Sequence, residues 1–276
     1  MEWFQAALDR YKEDRPLDRP PSRAGRSSSG RNAAKSFVYT RTRSLSIPES
    51  VLRERRILTG FDSGPFVDAF KILRTQVTHR MRENNWNVIG VTSPGDHEGK
   101  TLTAVNLAIS LSMDVTQTVL LVDTDLRNPA IDEVFGFDGC RGLADYLLDD
   151  IPIEDLLIHP SIGRFVLLPG GRAIRNSAEA LTSPKMLALV EELKHRYQSR
   201  IIIFDLPPLL HTSDVLAFAP YIDALLLVVE EGMTKAEDLE RALSLVKNAT
   251  PVLGTVLNKS GKQAATPAAM KRLLSL

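Results

Sequence analysis

The chain has 276 residues, 43% of them hydrophobic, enough to bury one sizeable core with appendages. Lysine plus arginine and aspartate plus glutamate each total 34, so overall charge points to no class of partner. A single cysteine, Cys140, excludes an internal disulfide, no apolar run approaches the ~20 residues of a bilayer span, and the N-terminus carries Glu2 and Asp9 where a secretory signal needs an apolar core.

Residues 1–14 place Trp3, Phe4, Ala7, Leu8 and Tyr11 at helical spacing, which predicts a short amphipathic helix. Residues 15–36 are rich in Pro, Arg, Ser and Gly, a composition that suits a flexible linker. Residues 37–60 read as an extended arm lying against the domain that occupies 61–276. Residues 1–60 hold thirteen basic and seven acidic side chains, a net of +6. Such an arm suits anionic lipid, nucleic acid or an acidic protein face, and equally serves as a solvated linker. The expectation is a cytoplasmic protein with no nucleic-acid ligand, brought to the membrane by a partner.

From Pro65 to Glu83 a helical pattern runs through Phe66, Phe70, Leu73, Val77 and Met81. Pro65 suits the first helical position, where its missing N–H costs nothing. Beyond residue 86, apolar runs near 87–92, 118–123, 165–169, 201–205, 224–230 and 252–257 read as strands. Helical segments fall between them, notably 100–112, 183–197 and 234–248. This alternation predicts an α/β fold, a mostly parallel sheet with helices on both faces. Leu168-Pro-Gly-Gly171 reads as an architectural turn, and the five histidines show no metal-ligand spacing.

Four segments carry chemistry. The first is the loop Ser93-Pro-Gly-Asp-His-Glu-Gly-Lys-Thr101, set between a strand and a helix. Backbone N–H groups of such a loop cradle phosphates at a helix N-terminus. Lys100 would reach the β- and γ-phosphates and the Thr101 hydroxyl would meet Mg²⁺. Gly95, Asp96, His97, Glu98, Gly99 and Leu102 complete the predicted nucleotide contacts. Pro94 stands where the strict phosphate-loop pattern has glycine.

The second segment is Val119-Leu-Leu-Val-Asp-Thr-Asp-Leu-Arg127. It puts Asp123 at a strand tip with Asp125 and Arg127 just beyond, where acids order a metal-bound water or take a proton. The third, Arg200-Ile-Ile-Ile-Phe-Asp-Leu-Pro-Pro208, ends a buried strand in Asp205, the form of a magnesium-associated acid in phosphate-loop NTPases. The fourth, Val252 to Asn258, ends in an amide able to read adenine with donor and acceptor at once, or simply to start a turn.

With these segments placed, the chain resembles the bacterial tyrosine kinases, the cytoplasmic phosphate-loop ATPase domains that accompany capsule and exopolysaccharide synthesis. The resemblance runs from about Tyr39 to Lys259. It rests on Tyr39-Thr-Arg-Thr-Arg43, the Gly-Lys-Thr loop, Asn106-Leu-Ala-Ile-Ser-Leu111, Val122-Asp-Thr-Asp-Leu-Arg127, Leu168-Pro-Gly-Gly171 and Phe204-Asp-Leu-Pro-Pro208. It implies transfer of the ATP γ-phosphoryl group to a tyrosine hydroxyl. Lys100 would bind phosphate, Thr101, Asp205 and Asp123 would serve the metal, Asp123 would be the base, and Asp125 would support the metal's water shell. No role follows for Arg127. The resemblance also implies a membrane chain-length regulator as partner and a ring of copies joined through Asp68, Lys71 and Arg74, spaced three apart on one helix face.

Two departures bear on activity. Asp96 and His97 stand where relatives carry Pro-Gly, and a histidine enters the left-handed region only at a cost. No tyrosine follows Tyr221, so the C-terminal acceptor cluster usual in the family is missing, leaving Tyr11 and Tyr39 as acceptor candidates. Alternatives are a partitioning or septum-positioning ATPase, whose signature lysine is replaced here by Gly95, and a non-catalytic ATP-binding adaptor.

Overall fold

The computed structural model describes residues 43–59, 63–114, 117–137, 139–196 and 200–260. The expected helix at 1–14, the linker at 15–36, residues 37–42 of the arm and the tail beyond residue 260 lie outside them. The first half of the chain supplies β1 (Arg43–Ser44), α1 (Glu49–Glu54), α2 (Pro65–Asn84), β2 (Val88–Thr92), α3 (Lys100–Ser112), β3 (Thr118–Asp123) and α4 (Ile131–Phe135). Next come α5 (Leu143–Asp149), β4 (Ile158–His159), β5 (Phe165–Leu168), α6 (Ser177–Leu181) and α7 (Pro184–Arg196). The last elements are β6 (Arg200–Asp205), α8 (Asp214–Phe218), β7 (Ala224–Glu230), α9 (Ala236–Val246) and β8 (Val252–Asn258).

The eight strands form one sheet in the order β1-β4-β5-β3-β6-β2-β7-β8. All neighbours pair in parallel except β4 and β5. Both faces are covered, so β2, β3, β6 and β7 are apolar almost throughout, as buried parallel strands must be. Alternate residues serve two cores. Val88, Leu120, Val122, Ile202 and Phe204 belong to one, with residues of α5 through α9. Ile89, Val91, Val119, Leu121, Ile201 and Ile203 belong to the other, with α2, α3 and α4.

The expected parallel sheet with helices on both faces is borne out, and the six expected strands match within a residue or two. The elements the sequence did not announce are short: β1 and β4 have two residues each, and α1, α4, α5, α6 and α8 have five to seven. Residues 43–59, read as an arm against the domain, contribute an edge strand and bury Leu52, Ile57 and Leu58. Asn106 on α3 fastens this segment: its Oδ1 accepts from Leu58 N at 2.8 Å and its Nδ2 donates to Arg56 O at 2.9 Å. That contact explains a wholly buried amide side chain in the middle of α3.

The topology puts β2 between β6 and β7, so the loop leaving β2 emerges at the carboxyl edge beside the tips of both. Gly90 in β2 allows this close packing. A Cβ there would stand 2.6–2.8 Å from Leu206 Cδ1, Ile222 Cδ1 and Leu225 Cδ2. Gly90→Ala should therefore cost about 2 kcal/mol by overpacking and lower the melting temperature by roughly 4–8 °C in a circular-dichroism melt.

Candidate nucleotide site

The loop 93–99 turns the chain from β2 into the N-terminus of α3, a 13-residue helix. Its reversal needs left-handed backbone at two places, Gly99 at φ 91° and His97 at φ 61°. Glycine adopts such a φ freely, whereas a residue with a Cβ gives up about 1–2 kcal/mol. Gly99 is also the residue before the first helical turn, and a Cβ on it would meet Asn258 Nδ2 at 2.1 Å. The helix start leaves unpaired N–H groups facing out of the sheet edge, the arrangement that binds phosphate.

Lys100 and Thr101 open the helix beside the tips of β3 and β6. Lys100 Nζ donates to Asp125 Oδ2 at 2.8 Å and to Thr101 Oγ1 at 3.2 Å. Asp123 and Asp205 are direct neighbours across β3 and β6, and both are fully buried. Asp123 accepts three backbone N–H groups: Ala130 and Ile131 on Oδ2 at 3.0 and 3.1 Å, and Asp125 on Oδ1 at 3.1 Å. It thereby caps the start of α4. Neither Asp205 oxygen has a hydrogen-bond partner of normal geometry, although the Thr101 hydroxyl lies close enough to favour its charged form.

Burial, reinforced by the Asp205 charge, holds the Asp123 carboxyl well above the usual carboxylate range despite its backbone donors. Burial also raises Asp205, while Lys100 and Thr101 pull the other way. Burial works against the Lys100 ammonium, but Asp205, Asp125 and Asp123 outweigh it and leave its pKa raised. Three acids thus share one lysine in a crevice short of positive charge. Among the described residues no three His, Cys, Asp or Glu side chains form a metal-ligand set by themselves. Mg²⁺ commonly takes only one or two protein ligands, with water and phosphate completing its shell. The unpartnered Asp205 carboxylate beside a hydroxyl fits that habit.

Asn258 sits on the other side of the loop, at the tip of β8, and donates Nδ2 to Glu98 O at 2.8 Å. The predicted contact residue Glu98 is a buried carboxylate that accepts from Gly95 N at 3.0 Å and from Thr234 Oγ1 at 2.5 Å. Lys259 Nζ donates to His97 O at 2.6 Å and pairs with Glu230 Oε2 at 2.7 Å. Asp96, half exposed, pairs with His211 at 2.8 Å. Leu102 packs partly against the core under α3. A cavity of about 210 Å³ lies beside the loop, between Leu210 and His211 on one side and Met233 and Arg241 on the other. The sequence does not mark Thr234, Lys259 or His211, since nothing local signals a residue that meets the loop from a turn distant in the chain.

Arg127 turns away from the acids. Its Nε donates to Ser177 Oγ at 2.9 Å, and it pairs at 3.4 Å with Asp214, whose carboxylate is wholly buried. The Leu168-Pro-Gly-Gly171 turn packs on the same loop, since a Cβ on Gly170 would stand 2.7 Å from Pro129 and 3.2 Å from Asp123 Cγ. On α2, Asp68 and Lys71 form an exposed pair at 3.2 Å, while Arg74 donates inward to Ser110 O at 3.0 Å. Tyr11, Tyr39 and Tyr197 lie outside the described residues. Tyr146 packs under Lys185, with Nζ 4.5 Å from the ring centroid.

Comparison with known proteins agrees with this geometry. A family model described as an AAA domain matches residues 88–257, from the start of β2 to the last residue but one of β8. The tyrosine-protein kinase CpsD of Streptococcus agalactiae is 29% identical over 199 residues, covering 71% of this chain and 85% of the relative. The kinase domain of the Escherichia coli tyrosine kinase ETK superposes with a TM-score of 0.65 at 25% identity, covering 80% of this chain and 91% of that one. The septum site-determining protein MinD of Pyrococcus horikoshii, complexed with Mg-ADP, superposes with a TM-score of 0.56 at 25% identity, covering 68% and 76%.

The Arg127 contact gives a stability test. Removing the guanidinium strands a buried carboxylate, although Arg127 is itself 43% exposed and its pairing is partly screened. Arg127→Ala should cost about 1–3 kcal/mol in urea denaturation. Asp214→Asn in the same chain should recover part of that loss, because the stranded charge is then gone.

Proposed function

The chain belongs to the AAA domain family, and from that premise we propose that it is an ATP-dependent protein-tyrosine autokinase controlling exopolysaccharide or capsule polymerisation and export. The observation that carries the proposal is the convergence of Lys100, Thr101, Asp123, Asp125 and Asp205 where α3 meets β3 and β6. The naming of relatives such as CpsD and ETK as tyrosine kinases supports it.

In this reading the N–H groups of residues 96–101 and the Lys100 ammonium hold the ATP phosphates, the Gly95 N–H being spent on Glu98. Lys100 has three donors and spends two on Asp125 and Thr101, so one remains for a phosphate oxygen. Thr101 and Asp205, with Asp123 behind them, would hold Mg²⁺, which neutralises charge on the transferring phosphoryl group when bound. Asp123 serves as base for the tyrosine hydroxyl. Its upward-shifted pKa suits proton capture. Its Oδ2 accepts two amides and its Oδ1 only one, so Oδ1 keeps a lone pair for the proton. Asp125 keeps Lys100 in place and supports the water shell. Asn258 keeps its Oδ1 for the adenine amino group while its Nδ2 stays on Glu98.

Tyr11 and Tyr39 are the proposed acceptors. Copies would assemble through the exposed Asp68–Lys71 face of α2, flanked by exposed Phe66 and Ile72. Arg74, spent on α3, would act only by holding that helix in place. Among the described residues no helix is long and apolar enough to cross a membrane. A cytoplasmic chain recruited by a membrane chain-length regulator accords with that. A MinD-like switch remains the second reading, because the fold is shared and that relative holds Mg-ADP.

Intact-mass and phosphopeptide analysis after incubation with Mg²⁺-ATP, with and without the membrane partner, tests the proposal. Phosphotyrosine is expected at Tyr11 or Tyr39, reduced on the order of 100-fold or more in Lys100→Ala. ATP hydrolysis without any phosphotyrosine, partner included, would transfer the chain to the switch reading.

A further inference from the structure

His97 and Lys259 are both non-glycine residues with left-handed backbone, at φ 61° and 56°, and they touch. The Lys259 ammonium, fixed by Glu230, donates to the His97 carbonyl, and the adjacent Asn258 amide donates to the Glu98 carbonyl. Two successive carbonyls of the phosphate loop are therefore held from the same side by two successive residues of the β8 tip.

A trans peptide plane points its C=O and its N–H in opposite directions. Holding the carbonyls of His97 and Glu98 toward β8 aims the N–H groups of Glu98 and Gly99 away from it, into the concavity of the loop. Convergent N–H groups around a left-handed residue form an anion cradle. Glycine would take up this conformation unaided, whereas histidine prefers other regions of backbone space. The acceptor side of the contact supports the same reading. Glu98 places a buried carboxylate inside a loop built for anions, and its oxygens are taken up by Gly95 N and Thr234, with Lys259 the nearby cation on the main chain.

We propose that Lys259 is a positioning residue for the nucleotide phosphates, holding the His97 peptide in the left-handed conformation that aims the loop's N–H groups at them. It acts through the loop carbonyl without touching the ligand. The inference rests on the nucleotide-binding reading above.

The test uses the full chain and Mg²⁺ with fluorescent N-methylanthraniloyl-ADP, with thermal melts reporting that each variant is folded. Lys259→Met should weaken binding about fivefold or more, and Lys259→Arg, which keeps a charged donor, should stay within about twofold of the parent. In a His97→Gly background, Lys259→Met should change the affinity less than about twofold, because the loop then needs no brace. Equal weakening in both backgrounds would overturn the proposal in favour of direct charge attraction. No weakening in either would overturn it as well. If the parent itself fails to bind the probe, the nucleotide reading falls first, and that failure is distinct because it appears before any substitution.

Discussion

One ammonium shared among three buried carboxylates is the constraint around which this structure is arranged. Lys100 meets Asp125 directly, while Asp123 and Asp205 stand side by side at the tips of β3 and β6. Burying acids so close together is costly unless donors or cations compensate them. The fold answers unevenly. Asp123 is satisfied by three amides and works as a cap for α4. Asp205 is left without a partner of normal geometry. The imbalance is what makes the crevice receptive to a cation and to the anion that a cation brings.

The phosphate loop has no stiffness of its own at His97 and gains it from both flanks. On the β6 side, Leu209 N and Leu210 N donate to Ser93 O and Pro94 O, and His211 meets Asp96. Thr92 Oγ1 donates to Pro207 O. On the other flank, β7 and β8 hold the loop through Glu98, Thr234, Asn258 and Lys259. The loop therefore couples the strand ends on either side of β2. A site built this way is precise because the supporting contacts come from turns that leave buried, well-packed strands.

What the sequence makes legible follows from what each feature depends on. Long apolar strands are readable because a parallel sheet covered on both faces demands them, and α2 and α3 are readable because each spans several turns. Asp123 and Asp205 are readable because each ends a buried apolar strand at the carboxyl edge, where an open parallel sheet forms its ligand crevice. The short helices α4, α5 and α6 show no period long enough to count. Lys259 and His97 lie 162 residues apart, and Glu98 and Thr234 lie 136 apart, so their contacts exist only once β7 and β8 are known to stand beside β2. Glu98 reads as a nucleotide contact, and its burial against Gly95 N and Thr234 emerges only from the structure. Arg127 was legible as part of a motif but not in its role, because Asp214 enters from α8.

The two flanks of the loop differ in chemistry, and the difference bears on how the site is specified. The β6 flank is held mostly by backbone hydrogen bonds, which any sequence able to form the strand and turn would supply. The β8 flank is held by side chains, and so is open to change by single substitutions. A glycine at 97 would remove the conformational cost that Lys259 offsets, so the brace matters only while a residue with a Cβ stands there. Histidine with a brace confines the loop in advance and charges the cost of ordering to folding instead of to binding. The departure from Pro-Gly at Asp96 and His97 is therefore compatible with a formed phosphate site, because the β8 tip supplies the restraint that proline would otherwise give.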